Sequence, residues 1–168
     1  GKGGDISLSV GSGDLAAGGD ITLTAGQSTT DTGGGIWVTG GHGTATSSGA
    51  IAIRTSNAGT KGVSGVLSFS SGTASSGTSG AVVIGTGSAS TGNGGDISLS
   101  VGSGDLAAGG DITLTAGQST TDTGGGIFVS GGYGSATSSG VVRISTADAG
   151  TAGVSGSLVF NSGASTSG

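Results

Sequence analysis

Few residues in this chain could carry acid–base, nucleophilic or metal chemistry. The single histidine is His42, and cysteine is absent. A Ser-His-Asp arrangement would ask His42 to take a proton from a serine hydroxyl while a carboxylate such as Asp31 held its ring. Serine is so abundant that none is singled out, and one repeat later the place of His42 is held by Tyr133. A glycine-rich phosphate loop would need a helix behind it. No stretch has helical periodicity, and Gly-x-x-x-x-Gly-Lys-Ser/Thr does not occur. The residues describe no enzyme and require no cofactor.

Two other groups of side chains stand out. Asp5, Asp20, Asp96 and Asp111 each follow a glycine pair and precede an apolar residue, at equivalent places in the chain's repeats. If neighbouring repeats stack, each pair of carboxylates lies about 5 Å apart, where like charges repel and a calcium ion would relieve them. The simpler role is a hydrogen bond from local turn amides to each carboxylate. The second group is aromatic. Trp37 and Phe128 stand one long repeat apart, each followed five residues later by His42 or Tyr133. Aromatic side chains presented outward mark a lateral contact, with another copy, a partner subunit or a glycan.

The elements that must position these groups are repeats. Apolar residues two apart recur as Ile6/Leu8, Ile21/Leu23, Ile36/Val38, Ile51/Ile53, Leu67/Phe69, Val82/Ile84, Ile97/Leu99, Ile112/Leu114, Ile127/Val129, Val142/Ile144 and Leu158/Phe160. Successive doublets are 15 residues apart, with steps of 16 into Leu67 and Leu158. A glycine lies two residues before the first member of every doublet, where a corner or a close backbone approach would select it. The residue inside the doublet varies freely, which is the alternation of a strand with its apolar face inward. A fixed period of this kind predicts an all-β fold, a parallel β-solenoid (β-helix) of about 15 residues per coil and 11 coils, with a thin, two-faced cross-section. Ile21 is then expected between Ile6 and Ile36.

A longer repeat overlies the short one. Residues 3–36 recur unchanged as 94–127, an offset of 91 that equals six coils. The chain therefore reads as one six-coil unit, 1–91, and an incomplete second, 92–168, continuous with the first. Stopping inside a unit, it reads as a piece of a longer repetitive polypeptide.

Composition narrows the function further. Glycine supplies 43 of 168 residues, proline, cysteine and methionine are absent, and the formal net charge is −5. A basic patch for nucleic acid or anionic lipid is lacking. No apolar run is long enough to insert in a membrane.

Three resemblances follow from particular motifs. Gly11-Ser12-Gly13-Asp14-Leu15 resembles the glycine–aspartate turns of calcium-binding RTX repeats, though the period is 15 rather than nine. Thr22-x-Thr24 and Thr113-x-Thr115 resemble the Thr-x-Thr ranks of insect antifreeze solenoids, but Trp37 and Arg54 interrupt such a rank. The Gly-Gly-Asp-Ile-Thr/Ser-Leu pattern, along the whole chain, resembles the Gly/Ser/Thr-rich β-solenoid repeats of extracellular filaments, surface appendages and adhesin stalks. That last resemblance implies a structural, extracellular or cell-surface segment that assembles with itself end to end and laterally. A calcium-stabilised, glycan-binding or ice-binding solenoid is the alternative.

Overall fold

The computed structural model describes residues 1–165, and they form neither helix nor strand. The expected all-β solenoid is therefore not the fold. No coil-to-coil hydrogen-bond ladder joins successive doublets, and Ile21, 46% exposed, is not sandwiched between its neighbours.

What the repeat does produce is a series of bends and closed loops. By its contacts the chain divides into Gly1–Ile84 and Gly85–Gly168. In the first unit the backbone bends or turns at 14–16, 29–31, 44–46, 60–61 and 75–77. Three of these lie within loops closed by one backbone bond each: Gly19 N–H to Gly11 O at 3.1 Å, Gly34 to Gly26 at 2.9 Å, and Gly49 to Gly41 at 2.8 Å. In the second unit the bends fall at 90–92, 105–107, 120–122, 135–137 and 151–153. The matching closures are Gly110 to Gly102 at 3.3 Å, Gly125 to Gly117 at 2.9 Å and Gly140 to Gly132 at 2.8 Å. The fifteen-residue period thus survives as a recurring bend, which in three repeats of each unit lies in a loop that bonds to its own start.

The loop residues explain this local closure. Ser28 Oγ accepts from the N–H of Thr30 at 3.4 Å and of Asp31 at 2.9 Å, and Asp31 Oδ1 accepts from Thr32 N–H at 2.7 Å. Ser119 and Asp122 repeat the pattern in the second unit. Short polar side chains of this kind offer backbone amides an alternative to a sheet partner. Glycine allows the chain to fold back tightly. A Cβ on Gly13 would strike the carbonyl oxygens of Ala16 and Ala17, and one on Gly40 would stand 2.6 Å from Gly49 O. Close approach, rather than an unusual φ, is what these positions demand. Among the described residues only Gly77 has a positive φ, +100°.

No core forms. Every Val, Ile, Leu, Phe, Trp and Tyr of the chain is exposed. The accessible surface is 16,422 Å², where a compact monomer of this mass would show about 7,000 Å². Each repeat brings two or three branched side chains against some fifteen ordered residues, many of them glycine with its large backbone entropy, so one repeat cannot hold the next in place.

Candidate assembly surface

The surface begins with the doublets themselves. Within Ile36-Trp37-Val38 the exposures are 54%, 91% and 68%, and within Ile127-Phe128-Val129 they are 53%, 95% and 69%. The flanking residues of each triplet are half-shielded and the central ring stands furthest out. Both triplets and their immediate neighbours, 33–40 and 124–131, are free of charge.

Each ring has a defined seat. Trp37 folds back over Gly35, its Nε1 lying 3.2 Å and its Cε2 3.4 Å from the position a Cβ would take there. Phe128 does the same over Gly126, with Cε2 and Cζ each at 3.0 Å. Any larger residue at either glycine would push the ring away. Reasoning from the doublets alone misses Gly35 and Gly126. The signal was available: Gly-Gly-Gly occurs twice in the chain, each time immediately before one of these two triplets.

His42 and Tyr133 are also exposed, Tyr133 at 89%. Neither makes a hydrogen bond, ion pair or ring contact with a described residue. Each unit therefore presents two exposed rings, Trp37 and His42 in the first and Phe128 and Tyr133 in the second.

The aspartates are placed separately. Asp5 pairs with Lys2 at 3.9 Å, both fully open to solvent, so the pair contributes little. Asp20, Asp96 and Asp111 have no ionic or hydrogen-bond partner among the described residues. The stacking that would bring Asp5 over Asp20, or Asp96 over Asp111, depended on coil-to-coil pairing, which the backbone does not make. Among the described residues no three carboxylate or imidazole groups gather as a cation site would require.

A shallow hollow lies along Arg54, Thr55, Ser56 and Asn57, four consecutive residues. A binding pocket with convergent groups draws on several elements, and this hollow draws on one. No helix among the described residues is long and apolar enough to cross a membrane.

A scan against protein-family models finds no match, and comparison with curated proteins and with solved structures finds none either.

Proposed function

We propose that this chain is a structural polypeptide, a segment of an extracellular or cell-surface filament, built to associate with copies of itself laterally and end to end. The single observation that carries this reading is that every member of a periodic apolar set is exposed. The surface beyond that of a compact monomer amounts to about 9,000 Å², whereas a stable protein–protein interface needs about 1,200–2,000 Å² in total. The part of that surface contributed by the exposed Val, Ile, Leu and aromatic side chains is relieved by association.

A second copy is the partner that fits best. It offers the same doublets at the same spacing, so one match of register brings all others into register. The charge fraction of 8% and net charge of −5 oppose this only weakly. Trp37 and Phe128 are the strongest single anchors, because aromatic residues dominate interface energetics. His42 and Tyr133, close behind them in sequence, extend the same contact zone.

Electron microscopy of concentrated, purified protein tests the proposal. Elongated assemblies are expected. Uniformly monomeric particles at every concentration would remove the filament reading.

A further inference from the structure

The two sequence repeats part at the start of their longest identical stretch. Residues 3–36 and 94–127 are identical, but the residue just before them is Lys2 in one unit and Asn93 in the other. We propose that Asn93 is a site of spontaneous covalent modification, converting to a mixture of aspartate and isoaspartate through a cyclic imide.

The chemistry follows from Asn93-Gly94-Gly95. The Gly94 backbone nitrogen, having lost its proton to solvent, attacks Cγ of the Asn93 side chain. The C–Nδ2 bond breaks and ammonia leaves, closing a five-membered succinimide. Water then opens the ring. Attack at Cγ gives aspartate, and attack at the former backbone carbonyl gives isoaspartate, whose chain runs on through the β-carbon. The balance is one water consumed and one ammonia released, with no redox change.

Three observations favour this place. Asn93 and Gly94 are both exposed, so water and base reach them. Among the described residues, the Asn93 carboxamide has no hydrogen-bond partner and the Gly94 N–H is held by no backbone bond. A Cβ at Gly94 would meet nothing within 4 Å, so the backbone is free to adopt the geometry that ring closure needs. The other two asparagines serve as internal controls. Asn57 precedes Ala58 and Asn161 precedes Ser162, both exposed but each followed by a side chain that crowds the attacking nitrogen.

The product changes local electrostatics. Lys2 pairs with Asp5 at 3.9 Å in the first unit. In the second, the new carboxylate at 93 stands three residues before Asp96, and the formal net charge of −5 becomes one unit more negative. Two stretches of identical sequence then carry opposite charge at their entrance.

The test incubates the full chain in mildly alkaline buffer and follows each asparagine by peptide mapping, with an isoaspartyl methyltransferase as the probe for the β-linked product. Asn93 is expected to convert at least about tenfold faster than Asn57 or Asn161, the ratio given by a barrier difference of ~1.4 kcal/mol. Gly94→Ala should slow it by a similar factor, and Asn93→Gln should remove the methyl-accepting site at 93. Equal rates at all three asparagines, or a rate at Asn93 indifferent to Gly94→Ala, would overturn the proposal. The result is independent of whether the chain forms filaments.

Discussion

The indole of Trp37 rests over Gly35, with Nε1 only 3.2 Å from where a β-carbon would stand. Phe128 repeats the arrangement on Gly126. A bulky ring is thereby laid over bare backbone while most of its surface stays exposed, which lowers the entropy an aromatic anchor loses when a partner covers it.

Gly35→Ala should disturb that seat. Trp37 is the only tryptophan, so its fluorescence reports the change without interference. In dilute protein the emission should be that of a solvated indole, fully accessible to acrylamide. The alanine variant should keep that emission but alter the near-ultraviolet circular dichroism as the ring leaves its seat. An identical spectrum would show that the glycine contact does not orient the ring.

Removing the rings should weaken association while leaving the dilute chain as it is. Trp37→Ser with Phe128→Ser forfeits two aromatic contacts per chain. If each is worth ~1.5–3 kcal/mol when buried, the concentration at which assemblies appear rises by at least about a hundredfold. The check is sedimentation velocity across a concentration series. No shift in that threshold would remove Trp37 and Phe128 from the contact.

Ser28 and Ser119 should matter only locally. Each accepts two backbone N–H groups in its loop, and an exposed bond of this kind contributes at most ~1 kcal/mol. Ser28→Ala should move the Thr30 and Asp31 amide resonances and leave distant residues unchanged. Shifts spreading into Ile36 or Ile21 would mean that the loops and doublets are coupled more tightly than the structure indicates.

The chain at low concentration should show no cooperative unfolding. Two-state melting depends on a buried core, and the denaturant slope scales with the surface exposed on unfolding. With every large apolar side chain already exposed, a urea titration of dilute protein should drift without a sigmoid, and a calorimetric scan should lack a peak. A sharp transition would require a core that the fold does not have.

The period was legible in the sequence, and the pairing was not. Bends at 14–16, 29–31, 44–46 and onward follow the 15-residue step that Ile6/Leu8 and Ile21/Leu23 announce. The doublets state where the backbone can run extended, yet they do not decide what it bonds to. That choice was made by the loop residues: Ser28 and Asp31 satisfy nearby amides, and Gly11 and Gly19 close their loop on itself. Local closure of this type competes directly with a ladder to the next repeat. The expectation of Ile21 between Ile6 and Ile36 failed for that reason. The seats of Trp37 and Phe128 are invisible to apolar periodicity because they are built on glycine runs, which carry no hydrophobic signal.

Hydrogen exchange, read by mass spectrometry at low and high protein concentration, addresses the central claim most directly. Dilute chain should exchange rapidly throughout, including the amides of Ile36–Val38 and Ile127–Val129. Concentrated protein should become protected at those triplets and the other doublets, while the loop apices at 14–16 and 29–31 stay fast. Protection of the doublets already present at the lowest concentration, or none at the highest, would contradict the account.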